Sequence, residues 1–291
     1  MLDATWITLR FVHFAALILA LGCAISTSWL APDTVKHVLA RRIWPFWRWA
    51  LIANLLSAGF MLGIQGGMMG SGWADAFSPA VWQAVLTTQF GGVWLWQIIL
   101  SAVSLVVCLL RPYRVGALLM ILLIAQTVLL AGVGHAVMAE GLRGAFQRAN
   151  HALHLLSAAW WMGGLLPLLA CMQLARKTRW RDGAIRAMMR FSRYGHLAVA
   201  LVILTGGINT LLIAGVPWPV HSRYLSMLWV KACLVAVMVI IALYNRYLLV
   251  PRFNQSQGAA QRQFITLIKV EWILSLLVVA CVSLFATWEP V

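Results

Sequence analysis

The segment TWITLRFVHFAALILALGCAISTSWL, residues 5–30, carries a single charged side chain, Arg10, in twenty-six positions. At about 1.5 Å per residue a helix of this length reaches roughly 39 Å, more than the ~30 Å hydrocarbon core of a bilayer. Inside that core each backbone N–H and C=O needs an internal partner, and one apolar run supplies them all only as a helix. Comparable runs follow at 47–70, 91–110, 115–138, 150–175, 191–214, 227–250 and 264–287. This repetition predicts an all-α polytopic membrane protein, a bundle of about eight transmembrane helices. The third and fourth runs are separated by the Arg-Pro-Tyr-Arg stretch at 111–114, where Pro112 ends a helix. With no repeat, low-complexity tract or long linker, residues 1–291 read as one transmembrane domain. Asp3 precedes the first run, no basic residue does, and the run continues past Leu21, so it reads as a retained span and not as a cleaved signal.

Composition agrees. The chain is 63% hydrophobic and 10% charged, with a mean hydropathy of +0.87, against about 25% charged for a soluble domain. A net charge of +15 would suggest nucleic acid in a soluble protein. Here, however, the basic residues are sorted by side. The loops and flanks after spans 1, 3, 5 and 7 carry seventeen Lys and Arg, the opposite loops only Arg143, Arg148 and Arg223. Positive residues stay in the cytoplasm, which puts both termini in the periplasm and leaves the lipid bilayer, not nucleic acid, as partner. The five cysteines, Cys23, Cys108, Cys171, Cys233 and Cys281, lie in apolar runs without a CxxC pair and read as small core residues.

Polar groups are costly in hydrocarbon, so those retained there mark a site or a pathway. By this orientation most fall in the outer half: His13 on span 1, Gln65, Met68 and Met69 on span 2, Gln97 on span 3, and His135 and Met138 ending span 4. His151 and His154 open span 5, and spans 6 and 7 carry Asn209 and Lys231. His151 and His154 are three apart and share a helix face. Imidazole with thioether is a donor set for copper, so His13, His135, His151, His154, Met68, Met69 and Met138 are the candidate metal ligands. Each has a plainer reading, a helix–helix hydrogen bond for a lone His and packing for a Met. Trp73, Trp82, Trp94 and Trp96 read as an interfacial belt, and Gly163 and Gly164 as a close helix approach. His37 and His196 fall on the cytoplasmic side, and His221 in an outer loop. Glu271 is expected to pair with Arg246. Lys231 is open: it snorkels outward, repels a cation or holds an anion.

The sequence has no serine elbow, no H-E-x-x-H and no paired carboxylates, so an enzyme is not expected. A nucleotide-binding motif is also absent, which leaves a gradient or protons to drive any transport.

Three segments resemble the copper-resistance D (CopD) family of inner-membrane proteins: RFVHFAALILALG at 10–22, NHALHLLSAAWWMGGLLPLL at 150–169, and TGGINTLLIAG at 205–215 running on to YLSMLWVKACLVAVMVIIALYNRYLLVPR at 224–252. The resemblance implies copper uptake or resistance, and His13, His151, His154, Asn209, Lys231 and Asn245 are the matching positions. It also implies a periplasmic copper-binding partner of the copper-resistance C type. Some family members carry that partner as a fused domain, which this sequence lacks, so a separate chain is expected. The leading expectation is therefore a protein that accepts copper at a periplasmic-side His site and supports its import. A donor would dock near 71–90, 139–149 and 215–226, with Cys23, Cys108 and Cys171 as soft ligands on the inner half. The alternatives are a b-type haem electron carrier, with haem held by histidines on facing helices, and a copper-delivery factor for respiratory oxidase assembly.

Overall fold

The computed structural model describes residues 1–110, 116–134, 140–214, 222–253 and 258–288, and every regular element among them is helical. In chain order these are α1 (Leu2–Ile25, extended by a π-type turn Ser26–Leu30), α2 (Asp33–Met69), α3 (Trp73–Ala76), α4 (Pro79–Leu86) and α5 (Gln89–Leu110). Then come α6 (Gly116–Leu130), α7 (Gly141–Leu174), α8 (Arg181–Ala214), α9 (Arg223–Tyr244, extended by a π-type turn Asn245–Leu249) and α10 (Ala259–Phe285). Among the described residues seven of them, α1, α2, α5, α7, α8, α9 and α10 with their extensions, are long and apolar enough to cross a membrane. The expected fourth span is α6. Its described part has 15 residues, roughly 22 Å, while 111–114 and 135–138 lie outside the described residues.

Two features go beyond the hydropathy pattern. The connection at 71–90 folds into α3 and α4, started by Pro79 in the first turn of α4. The Trp82 indole donates to the Ala76 carbonyl at 2.9 Å. This cap rests on a glycine face of α2, where a Cβ on Gly63 would stand 2.8 Å from the Ala76 oxygen. At the opposite end, α2 and α8 have 37 and 34 residues, so they overshoot the hydrocarbon by several turns. Those turns carry Lys36, Arg41, Arg42, Arg181, Arg186 and Arg190, and the Arg42 guanidinium donates to the Gln173 side-chain oxygen on α7.

α1 is the hub. Ala20, Leu21, Cys23 and Ala24 are fully enclosed around its whole circumference, because α2, α6, α7 and α10 pack around it. Against α7 the backbones come into direct contact, since a Cβ on Gly22 would stand 2.1 Å from the Gly163 carbonyl carbon, and one on Gly163 2.1 Å from the Ile18 oxygen. Small residues at a crossing let backbones touch, and van der Waals packing is what holds helices together in lipid. By contrast α9 is peripheral. It packs chiefly on α10 and leaves Trp229, Val237 and Ile240 exposed, as expected of a lipid-facing surface.

The expected Glu271–Arg246 pair does not form. Glu271, buried on α10, accepts from the Trp161 indole at 3.2 Å, whereas Arg246 donates to the Ser192 hydroxyl. Each has a partner on another helix, Trp161 on α7 for Glu271 and Ser192 on α8 for Arg246. Glu271→Gln keeps an acceptor for Trp161, so its unfolding free energy in detergent is expected to stay within about 1 kcal/mol of wild type. A loss of about 3 kcal/mol or more would restore the ion-pair reading.

Candidate functional site

Helices α7 and α8 are joined by a ladder of polar contacts whose donors and acceptors can be assigned. Asn150 Nδ2 donates to the Thr205 carbonyl at 3.0 Å and to Asn209 Oδ1 at 2.9 Å. A carbonyl only accepts, which fixes the Asn150 amide and turns Asn209 Nδ2 towards His151 Nδ1, 3.4 Å away. His154 Nδ1 stands 3.0 Å from Thr205 Oγ1. The proton of that hydroxyl is already given to the Leu201 carbonyl, so Oγ1 accepts from His154 Nδ1–H. The lone pair of His154 is thereby placed on Nε2, the tautomer a metal ligand needs. Gly206 leaves room for this ring, since a Cβ there would lie 3.3 Å from His154 Cε1.

His151 and His154 line a cavity of about 350 Å³, walled by all the long helices and by α6. Its polar groups are few: Arg10, His151, His154, Asn209, Thr210 and Lys231 among them, in a lining that is otherwise aliphatic and aromatic. Lys231 and His151 lie within electrostatic reach of His154. Met61 and Met162 also face this space. They put thioether side chains in the lining that holds the imidazoles, whereas the sequence pointed to Met68, Met69 and Met138.

His13 belongs to a second cluster. Its Nδ1 lies 3.1 Å from Ser57 Oγ and 3.3 Å from the Asn54 carbonyl. Ser57 gives its own proton to that carbonyl, so His13 Nδ1–H is the donor and the Nε2 lone pair is left, fully buried and without a protein partner among the described residues. The network continues through Asn54, Gln126, Ser101 and Gln97 across α2, α5 and α6. Trp94, with its ring 5.3 Å from His13, forms the cavity wall between the two clusters. It is 2% exposed and donates to the Ala58 carbonyl; it is a core residue, not part of an interfacial belt, because α5 turns this face inward.

The remaining candidates are dispersed. Met68 and Met69 are exposed at the end of α2 and are not part of the cavity lining. His135, Met138 and His221 lie outside the described residues. Asn245 is buried in the turn after α9, at the opposite end of that helix from Arg223. His37 is exposed, and His196 bonds its own helix at Ser192 and meets Tyr247, so neither joins the outer site. Cys23, Cys108 and Cys171 are buried free thiols. Among the described residues no three His, Cys, Asp or Glu side chains are grouped to hold a metal ion. The haem reading finds no support: His151 and His154 leave the same helix, and His13 is screened from them by Trp94.

Comparison with known proteins adds an independent line. Residues 1–145 match the family model for the copper resistance protein D-like N-terminal domain, and residues 185–285 match that for copper resistance protein D. The inner membrane protein YebZ of Escherichia coli is 50% identical over the full length of both chains. Copper resistance protein D of Pseudomonas syringae is 31% identical, over 71% of this chain and 69% of its own. The copper transport protein CutJ of Bacillus subtilis is 25% identical, over 75% of this chain and 40% of its own. No solved structure matches.

Proposed function

Since the chain belongs to the copper-resistance D family, we propose that it is an inner-membrane copper-handling protein that accepts copper at His151 and His154 and supports its import. The observation that carries this reading is the His154 ring, held by Thr205 so that its Nε2 lone pair is available beside His151 in a cavity that Met61 and Met162 also line. Imidazole with thioether is a soft donor set suited to Cu(I). Copper is the cargo here, and the chain's contribution is to orient the ligands and keep them dry. Thr205, which accepts from His154 Nδ1–H, is the positioning residue; Asn209 Nδ2 donates to His151 Nδ1, so the His151 lone pair ligates copper once Asn209 releases it.

The route is read from charge. The basic ends of α2 and α8 mark the cytoplasmic side, which places the cavity nearer the periplasm. A separate periplasmic copper protein of the copper-resistance C type docks on the α3–α4 cap and the neighbouring outer loops, at 139–149 and 215–226. His13, in its own cluster behind Trp94, is a secondary station on this reading. The test is copper accumulation by cells expressing wild type or the His151→Ala, His154→Ala double variant at matched membrane levels. Accumulation falling to that of cells lacking the chain supports import. Unchanged accumulation removes the His pair from the pathway, and copper that reaches a respiratory oxidase but not the cytoplasm replaces import with delivery.

A further inference from the structure

The cavity holds two basic side chains whose charge no carboxylate answers among the described residues. Lys231 reaches it from α9 and Arg10 from α1. Arg10 lies over the Phe14 ring and donates to the Ala286 carbonyl at 3.5 Å, a long bond to a neutral acceptor. Lys231 has no hydrogen-bond or carboxylate partner among the described residues, and its electrostatic neighbours are His154 and Cys281. The described lining contains no Asp or Glu. Buried charges are ordinarily paired, so this arrangement is suited to a negative charge that the described residues do not supply.

The metal-ligand inventory makes the same demand from a different side. Two imidazoles converge, yet no third His, Cys or carboxylate joins them among the described residues. A bare Cu(I) would add a further positive charge beside Lys231 and Arg10, in a lining that is mostly apolar and screens charge poorly. If copper arrives with a monovalent anion, the cavity keeps the charge it has without cargo.

We infer that copper occupies this cavity together with an exogenous soft anion, a halide or a thiolate, which completes the metal's coordination and is held by Lys231 with Arg10. The inference rests on the proposed copper site and names the form of the cargo: a copper–anion pair and not a bare ion. Soft anions suit both partners, since they ligate Cu(I) and cost less to desolvate than hard ones. Lys231 offers three donors on a compact charge, and the cavity has room for an ion or a small thiol beside the metal.

The experiment uses the full chain purified in detergent and two separate readouts. The first is equilibrium binding of radiolabelled iodide without copper, in methanesulfonate buffer. Saturable binding to wild type, weakened at least tenfold by Lys231→Met and restored by Lys231→Arg, supports the anion site; no saturable binding, or binding indifferent to Lys231→Met, overturns it. The second is Cu(I) affinity by chelator competition, with free Cu(I) buffered to the same level, in methanesulfonate, in chloride and with cysteine. Affinity at least tenfold higher with chloride or cysteine, and a loss of that dependence in Lys231→Leu, which adds no sulfur ligand, supports the paired cargo, and the preferred arm identifies halide or thiolate. Equal affinity in all three, or an anion dependence unchanged in Lys231→Leu, overturns it. Iodide binding that persists in a chain unable to bind copper refutes the copper reading while leaving the anion site in place, so the two failures are distinguishable.

Discussion

Gly163→Ala is expected to destabilise the chain by about 3 kcal/mol or more, the upper end of what overpacking costs. The added Cβ would stand 2.1 Å from the Ile18 backbone oxygen and 3.0 Å from Gly22 Cα. Neither neighbour is the flexible end of a side chain, so relief requires α1 and α7 to separate. Their separation would spread, because α1 packs at once on α2, α6, α7 and α10, and Phe14 and Leu17 of α1 share the cavity wall with Ala158 and Met162 of α7. Thermal or denaturant unfolding in detergent measures the effect. Gly59→Ala is the control, since a Cβ there meets nothing within 4 Å. If Gly163→Ala and Gly59→Ala unfold alike, α1 and α7 do not touch at Gly22 and Gly163. The Gly22→Ala change acts on the same contact, so the double variant should fall short of the sum of the singles.

Thr205→Val is expected to weaken Cu(I) binding 10–100-fold while the protein remains folded, the range seen when a hydrogen-bond partner of a metal-binding His is removed. That is about 1.4–2.8 kcal/mol of binding free energy. Valine matches threonine in shape but lacks the hydroxyl, so His154 loses its side-chain acceptor and is left with the Val202 backbone carbonyl, which holds the tautomer with a lone pair on Nε2 less firmly. The carbonyl of residue 205, which receives Asn150, is kept in either variant, and the α7–α8 ladder survives. Thr205→Ser retains the hydroxyl and should bind nearly as wild type. Chelator competition on the purified variants decides the matter: equal affinities for valine and threonine at 205 would show that His154 does not bind the metal through Nε2.

The spans were legible because they rest on hydrocarbon thickness and on backbone satisfaction, which depend on run length alone. Depth was legible by counting residues at 1.5 Å each, so His151, His154, Asn209 and Lys231 were already placed at one level. Helix phase was not. Depth also misled on α2, where Met61 and Met68, seven residues apart, share a face, yet Met61 lines the cavity and Met68, about 10 Å nearer the end, is exposed. His13 has the right depth, but its position on α1 turns it towards Asn54 and Ser57. Trp94 shows the same limit. A tryptophan near a span end belongs equally to a lipid belt or to a core until the neighbours of α5 are known. The place of Arg10 in the cavity was not legible either, because the lack of a carboxylate among the described lining residues is a property of the assembled bundle.

The peripheral position of α9 has a mechanical consequence. The wall that bears Lys231 is carried by a helix seated mainly on one neighbour, α10, with lipid against much of its surface. Few packed contacts mean a low local cost of displacement, so α9 is held less firmly than the enclosed α1. Any displacement of α9 away from α10 would withdraw the ammonium group from the imidazoles and open the chamber sideways to the acyl chains. Charge and doorway travel on one rigid rod.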